Sequence, residues 1–132
     1  MDRNGPLVVI VEDDLGVQQA LRRLLHASGF RERAFASAEE FSAAGAHRGA
    51  DCLLLDVRLP GASGTELYAS LGQGRTPAVF ITSHDSPRLR QDAAALGAPV
   101  VIKPFLAAEL LQAIHGALRQ SAVPARPERG DA

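Results

Sequence analysis

The sequence predicts an α/β fold in which helices cover both faces of a parallel sheet. Short apolar runs alternate along the chain with segments of helical periodicity, which is the pattern of repeated βαβ units. The run Leu7–Val11 is apolar at every position, as expected of a strand that is buried on both faces. Polar residues directly follow several of these runs, and in a parallel sheet such residues meet at one edge. We therefore expect a three-layer sandwich with five strands and five helices.

The length and composition of the chain predict one globular domain. A length of 132 residues is that of one domain and excludes a two-domain cleft enzyme. With 46% hydrophobic and 22% charged residues, the composition is that of an ordinary soluble globular protein. The 14 Lys and Arg against 15 Asp and Glu leave a formal net charge of -1, without the basic field that drives binding to phosphate backbones. We therefore expect no direct contact with nucleic acid by this chain.

Compartment and boundaries follow from the cysteine count and from the two ends of the chain. The single Cys52 cannot form an intramolecular disulfide, and the apolar runs are far shorter than the roughly 20 residues of a membrane span. We expect a cytoplasmic protein without a membrane contact. Residues 1–6 are predicted to be a flexible N-terminus, 7–121 the folded domain, and the Pro- and Arg-containing residues 122–132 a disordered tail or linker stub.

The first half of the chain contains two strands and two helices before the central strand. After Leu7–Val11, a helix begins at Leu15 with Asp14 as its N-cap and Gly29 just past its end. Residues 30–36 predict a weaker strand at an edge of the sheet, and the Ser37-x-x-Glu40 capping box opens a short second helix. The apolar face of the first helix is formed by Val17, Leu21, Leu24 and Leu25.

The second half repeats the alternation of strands and helices. The remaining strands are predicted at residues 51–56, 78–81 and 100–102, and the remaining helices at 65–71, 87–96 and 106–119. Ser86-Pro87 is a favourable N-cap and first-turn pair, and Lys103-Pro104 ends the last strand. The last helix carries an apolar stripe of Leu110, Leu111, Ile114 and Leu118.

Carboxylates lie at the ends of the first and third strands. If these strands are neighbours, as in the order 2-1-3-4-5, then Glu12, Asp13 and Asp56 converge. Two carboxylates about 4 Å apart repel each other by about 4 kcal/mol at an effective dielectric near 20, so three require protons or a cation. Mg²⁺ accepts such oxygen ligands, and a carboxylate beside it can attack a phosphoryl group to form an acyl phosphate.

Two further strand ends offer groups that suit a phosphoryl ligand. Thr82 follows the fourth apolar run, and its hydroxyl can donate to a phosphoryl oxygen. Lys103 follows the fifth run and supplies a point charge for another oxygen. Together with a metal ion, these groups would contact all three equatorial oxygens.

An acid pair after strand 1, a lone Asp after strand 3, a Thr after strand 4 and Lys-Pro after strand 5 together resemble the receiver domain of two-component response regulators. The resemblance covers residues 6 to 121, and the segments at 56–64 and 101–105 resemble the FixJ-like branch in particular. It implies a flavodoxin-like, CheY-like sandwich. The protein would then act as a switch more than as a turnover enzyme, catalysing its own phosphotransfer and dephosphorylation.

The resemblance also implies residue roles and partners. Asp56 would accept a phosphoryl group from a sensor histidine kinase or a histidine phosphotransfer protein, and Thr82 and Lys103 would sense it. Mg²⁺ would be bound by Asp13, Asp56 and the backbone carbonyl of Arg58, with Glu12 assisting through water. A homodimer or partner surface is expected on the fourth helix, fifth strand and fifth helix.

Two positions bear on how the switch works. The family commonly has an aromatic residue three positions before the Lys, whereas this chain has Val100, which cannot make the same rotamer change. The positions that resemble the family's rate-tuning sites hold Arg58 and His84. These cationic or neutral side chains would either contact the phosphoryl donor or hinder the attacking water.

Other interpretations stay open at the level of the sequence. Glu12 and Asp13 suit the positive end of the first helix dipole, and Asp56 or Thr82 suits a turn. A binding module that signals without phosphorylation is the main alternative function, motivated by Val100. An aspartyl phosphatase or phosphomutase is less favoured, because enzymes resembling this layout have a second Asp two residues after the first, where this chain has Arg58.

Overall fold

The computed structural model describes residues 5–72 and 74–122, in which five strands and five helices alternate. The elements are β1 (Leu7–Val11), α1 (Leu15–Ala27), β2 (Arg31–Phe35), α2 (Ala38–Ala43), β3 (Cys52–Asp56), α3 (Gly64–Ser70), β4 (Ala78–Thr82), α4 (Pro87–Leu96), β5 (Val100–Ile102) and α5 (Ala107–Ala122). Most of the predicted N-terminal segment, and all of the predicted tail except Ala122, lie outside the described residues.

The strands form a parallel sheet in the order β2-β1-β3-β4-β5, as predicted. β1 and β3 are direct neighbours, with Val11 opposite Leu55. β3 continues one residue further to Asp56, which lies opposite Ile81 of β4. The carboxyl ends of β1, β3 and β4 therefore meet at one edge of the sheet.

Each face of the sheet has its own apolar core. β3 and β4 are buried at every position because helices cover both of their faces. One core packs Leu25 of α1 and Leu110 and Ile114 of α5 against the sheet, and the other packs Phe41 of α2 and Leu67 of α3. β2 is half-buried, as expected of an edge strand.

The helix starts follow the predicted capping chemistry at Asp14, Ser37 and Ser86. The Ser37 hydroxyl accepts a hydrogen bond from the Glu40 N–H, as in a capping box. The Glu40 carboxylate, however, accepts from the N–H of Ala36 and not from that of Ser37, so the second bond of the box is displaced by one residue. A complete capping box instead opens α3, where the side chains of Ser63 and Glu66 bond each other's backbone N–H.

Some predicted boundaries were wrong by a few residues. α5 begins at Ala107 instead of 106, since Leu106 lies outside the first turn and donates its N–H to Glu109 Oε1. The helix continues to Ala122 instead of ending at 119, because no proline interrupts its sequence before Pro124. β4 extends one residue further than predicted and includes Thr82.

No helix within the described residues is long and apolar enough to cross a membrane.

Candidate functional site

Three carboxylates converge where β1 and β3 end. Glu12 follows β1 directly, and Asp56 is the last residue of β3. Glu12, Asp13 and Asp56 each present one oxygen, and these oxygens all lie within 4.8 Å of one another. Glu12 and Asp56 are buried, whereas Asp13 is exposed, so the cluster is open to solvent on one side. Such an arrangement fits a divalent cation that enters from solvent and keeps some of its water.

Lys103 approaches the cluster from the end of β5. Its Nζ lies 3.0 Å from Glu12 Oε1 and 3.4 Å from Asp56 Oδ2, and its side chain is 20% exposed. One ammonium therefore bridges two buried carboxylates that β1 and β3 bring together. With three acids and one base the cluster keeps net negative charge, which fits the recruitment of a second cation.

The titration of the site reflects this crowding. Burial, together with the adjacent Asp56 carboxylate, raises the pKa of Glu12 to about 7. Burial alone would lower the pKa of Lys103, but the hydrogen bond to Glu12 and the attraction of Asp56 outweigh it, so the pKa of Lys103 is raised. Lys103 is therefore a fixed cation, whereas the charge of Glu12 changes near neutral pH.

Backbone N–H groups fix the two buried carboxylates. The Arg58 N–H donates to Asp56 Oδ1 at 3.1 Å, and the Asp14 N–H donates to Glu12 Oε2 at 3.1 Å. Each carboxylate thus has one oxygen on a backbone donor and the other on Lys103. The orientation of the two carboxylates is therefore set by the backbone turns after β1 and β3 and by the side chain of Lys103.

Thr82 is buried at the end of β4, beside the end of β3. Its hydroxyl accepts the His84 N–H at 3.1 Å and donates to the His84 carbonyl at 3.4 Å. The structure places Thr82 at the predicted edge but engages its hydroxyl within its own turn. To contact a phosphoryl group, this hydroxyl must leave the His84 carbonyl.

The remaining predicted positions surround this centre. The side chains of Arg58 and His84 are exposed, on the turns that follow Asp56 and Thr82. Val100 is half-buried, lies opposite Phe80 of β4 and packs on the core that contains Phe41. Val100 begins β5 and Lys103 follows the end of that strand, so Val100 lies at the opposite end of β5 from the acid cluster.

Two residues at the site were missed by the sequence analysis. Gln18 of α1 is buried and donates its Nε2 to the Glu12 carbonyl at 3.0 Å. Its place between Val17 and Leu21 on the apolar face of α1 was the available signal. Gly64 lies so close to the Asp56 backbone that an added Cβ would be 2.3 Å from the Asp56 carbonyl oxygen. No local pattern predicts that approach.

Comparison with known proteins identifies the family. The pattern of the response regulator receiver domain matches residues 8–115. The chain belongs to this family. It is 36% identical over 124 residues to the transcriptional regulatory protein FixJ of Azorhizobium caulinodans, covering 92% of this chain and 59% of FixJ. The receiver-domain prediction, and with it a place in two-component phosphorelay signalling, is thereby confirmed.

Solved receiver proteins have the same architecture. A response regulator receiver protein from Burkholderia phymatum is 38% identical, with a TM-score of 0.75 over 86% of this chain and 95% of that one. The response regulator StyR is 37% identical, with a TM-score of 0.79 over 89% of this chain and 61% of StyR. The chain spans little more than half the length of curated relatives such as FixJ.

Proposed function

We propose that Asp56 of this receiver domain accepts a phosphoryl group from a phosphohistidine on a sensor histidine kinase or a histidine phosphotransfer protein. The observation that carries the proposal is the burial of Asp56 at the end of β3, among Glu12, Asp13 and Lys103. A carboxylate oxygen attacks phosphorus as the bond from phosphorus to the histidine nitrogen breaks. The imidazole leaves with that electron pair, and Asp56 becomes an acyl phosphate.

The residues present fit a Mg²⁺ site, which we propose as the cofactor site. Asp13, Asp56 and the backbone carbonyl of Arg58 would hold the ion, with Glu12 acting through water. When bound, the ion supplies positive charge for the phosphoryl oxygens. The three acids favour such an ion because, among the residues that the structure describes, Lys103 alone pairs with Glu12 and Asp56.

The chain's own residues perform the other steps. Lys103 already lies 3.4 Å from Asp56 Oδ2, so its ammonium is placed to pair with an oxygen of the transferred group. Thr82 exchanges its bond to the His84 carbonyl for a bond to a second phosphoryl oxygen. In dephosphorylation, which is a separate reaction, water attacks phosphorus and the Asp56 carboxylate leaves with the electron pair of the broken bond, which releases inorganic phosphate.

Arg58 and His84 are proposed to set the lifetime of the acyl phosphate. Both side chains are exposed on the turns beside Asp56 and Thr82, where the donor and the attacking water must approach. The protein thus acts as a switch that catalyses its own phosphorylation and dephosphorylation. The buried free thiol of Cys52 fits the reducing cytoplasm as the setting.

The switch surface is proposed to be the face of α4, β5 and α5. A groove of about 720 Å³ on this face is lined by Pro99, Arg119, Gln120 and six small residues, and the small residues allow close approach of a second copy or a partner. The small residues are Ala94, Gly97, Ala98, Ala113, Gly116 and Ala117. FixJ is named a transcriptional regulatory protein. For this chain we propose control by phosphorylation and no direct nucleic-acid contact, since its formal net charge is -1.

The direct test is Mg²⁺-dependent labelling with acetyl phosphate, read by intact mass. We expect a phosphoryl adduct on the parent protein and none on Asp56→Asn. Asp51→Asn is the matched control, because Asp51 lies just before the opposite end of β3 and is exposed. Labelling that persists on Asp56→Asn, or that is lost on Asp51→Asn, would contradict the assignment of Asp56.

A second candidate function is a receiver-fold module that signals without phosphorylation, and Val100 is the observation that favours it. A partner that binds the phosphorylated and unmodified forms with equal affinity would support this alternative. An aspartyl phosphatase is disfavoured by the exposed Arg58 at the position where such an enzyme would carry its second Asp.

A further inference from the structure

Four polar or charged residues are buried in the part of the chain that the structure describes: Glu12, Gln18, Asp56 and Thr82. Three of them form the phosphoacceptor site. The fourth, Gln18, lies on α1 and is only 8% exposed. Buried polar groups in proteins nearly always have a hydrogen-bond partner, so the group that the Gln18 side chain bonds indicates its role.

The side-chain amide of Gln18 donates to the backbone carbonyl of Glu12 at 3.0 Å. Glu12 follows the last paired residue of β1, Val11, at the point where the chain leaves the sheet. Its N–H still bonds the Phe35 carbonyl at 3.0 Å, while its carbonyl is held by Gln18. The Gln18 side chain thus supplies the hydrogen-bond donor that a neighbouring strand would supply to this carbonyl inside the sheet.

This contact determines the direction of the next residue. The Glu12 carbonyl and the Asp13 N–H belong to one planar peptide unit, so fixing the carbonyl fixes the plane from which Asp13 departs. Asp13 is the exposed member of the acid cluster, unlike the buried Glu12 and Asp56. Its position therefore depends on the backbone more than on surrounding packing.

The backbone of Gln18 is tied to the same loop. Its N–H donates to the Asp14 carbonyl at 2.9 Å, and Asp14 Oδ1 accepts the Val17 N–H at 3.1 Å. The first turn of α1 and the loop of residues 12–14 therefore form one hydrogen-bonded unit. Gln18 connects this unit to Glu12 from inside the protein.

We propose that Gln18 is a positioning residue for the divalent cation, holding the Glu12–Asp13 peptide so that the Asp13 carboxylate faces Asp56. This inference rests on the proposed function, because it concerns the same cation site. The side chain of Gln18 does not contact the ion. It acts through the peptide that carries Asp13, as outer partners of metal ligands commonly do.

The test is a calorimetric Mg²⁺ titration of the full chain and two variants. Gln18→Met keeps the length of the side chain and removes the donor, and Gln19→Met is the matched control at the exposed neighbouring position. We expect Gln18→Met to bind Mg²⁺ about 10-fold more weakly than the parent. Gln19→Met should retain the parent affinity.

The outcomes separate this inference from the function on which it rests. A folded Gln18→Met protein with the parent Mg²⁺ affinity would overturn the positioning role and leave the cation site intact. A parent that binds no Mg²⁺ would overturn the proposed cofactor site and the inference with it. Thermal unfolding without metal establishes that each variant is folded at the temperature of the titration.

A measurement on the parent protein decides the matter if Gln18→Met does not fold. Addition of Mg²⁺ should shift the side-chain amide resonances of Gln18 in an NMR spectrum and leave those of Gln19 in place. Unchanged Gln18 resonances in a protein that binds Mg²⁺ would overturn the proposal.

Discussion

The edge of the sheet that carries Glu12, Asp56 and Lys103 and the face of α4, β5 and α5 are held together in different ways. At the edge, the two buried carboxylates are fixed by backbone donors and by Lys103 at distances between 3.0 and 3.4 Å. On the face, α4 buries only Leu89 and Ala93, and β5 has three residues. The edge therefore depends on a few directional contacts, whereas the face depends on apolar packing, with Leu110 and Ile114 of α5 fully buried.

This difference separates Val100, which lies on the face, from the proposed acceptor residues, which lie at the edge. The proposed phosphoryl transfer depends on the placement of carboxylates, a hydroxyl and an ammonium, because a misplacement of about 1 Å can slow a reaction about 100-fold. A binding surface requires only shape and size, and it accommodates substitution. We therefore expect substitutions at the edge to have large effects, and matched substitutions on the face to have small ones.

The largest expected contrast is between two Gly→Ala substitutions. An added Cβ at Gly64 would be 2.3 Å from the Asp56 carbonyl oxygen, whereas at Gly116 of α5 the nearest atom is the end of the Arg119 side chain at 3.8 Å. Gly64→Ala should lower the free energy of unfolding by about 3 kcal/mol and reduce labelling of Asp56. Gly116→Ala should raise the free energy of unfolding by up to about 1 kcal/mol, since Ala favours a helix more than Gly does.

Urea unfolding of both variants measures this contrast. Equal tolerance of the two substitutions would show that the loop after β3 adapts to the extra atom. The edge would then be less constrained than the distances indicate.

The next contrast concerns the cation that bridges the acids. Lys103→Met leaves the Glu12 and Asp56 carboxylates without a positive charge beside them. The free energy of unfolding should therefore fall by about 2 kcal/mol when a chelator removes divalent cations. Mg²⁺ should restore much of this loss because it supplies the missing positive charge. Arg22→Met is the control, since the exposed Arg22–Glu32 pair is worth at most about 1 kcal/mol and should not respond to Mg²⁺.

Denaturant titrations with and without Mg²⁺ provide the measurement. If Mg²⁺ stabilised the parent and Lys103→Met equally, the ion would not compensate for the missing Lys103 charge.

A smaller effect is expected in the pH dependence of stability. The pKa of Glu12 is about 7 in the folded protein, above its ordinary value of 4.5, so the folded state binds this proton more tightly than the unfolded state. The contribution of Glu12 to stability is therefore fully present below pH 4.5 and is lost as the pH rises to about 7. The slope can reach about 1.4 kcal/mol per pH unit in the absence of metal.

Comparison of the parent with Glu12→Gln isolates this contribution from the other carboxylates. The difference in unfolding free energy between the two proteins should change between pH 4.5 and 7, in favour of Glu12→Gln as the pH rises. A difference that is independent of pH would contradict the raised pKa.

The smallest effect is expected at Val100. Val100→Ala should leave the rate of labelling by acetyl phosphate within about twofold of the parent, a change in activation free energy of about 0.4 kcal/mol. The side chain packs on Phe80 and the adjacent core, at a distance from the acids. A tenfold slower reaction in a quench-flow time course would show that the face and the edge are coupled before phosphorylation.

The sequence was informative wherever a local pattern determines the structure. The fully apolar β1 and the capping residues Asp14 and Ser86 predicted the alternation of strands and helices, and the polar strand ends predicted that Glu12, Asp13, Asp56 and Lys103 meet at one edge. The order of the strands was taken from the fold type that the sequence resembles, and the structure confirms it.

What the sequence did not show depends on contacts between distant segments or on choices between competing hydrogen bonds. The approach of Gly64 to the Asp56 backbone is set by the path of the loop after β3. The bond from Gln18 to Glu12 crosses from α1 to the end of β1. Thr82 could equally bond a ligand or its own turn, and the structure has it bonded to His84.

The most direct test of this account locates the phosphoryl group on the parent protein. After treatment with acetyl phosphate and Mg²⁺, borohydride reduction converts a phosphorylated aspartate to homoserine, which peptide mass spectrometry can map. We predict homoserine at Asp56, with none at Asp13 or Asp51. Homoserine at another aspartate, or a phosphoryl group that survives reduction on a histidine, would contradict the central claim.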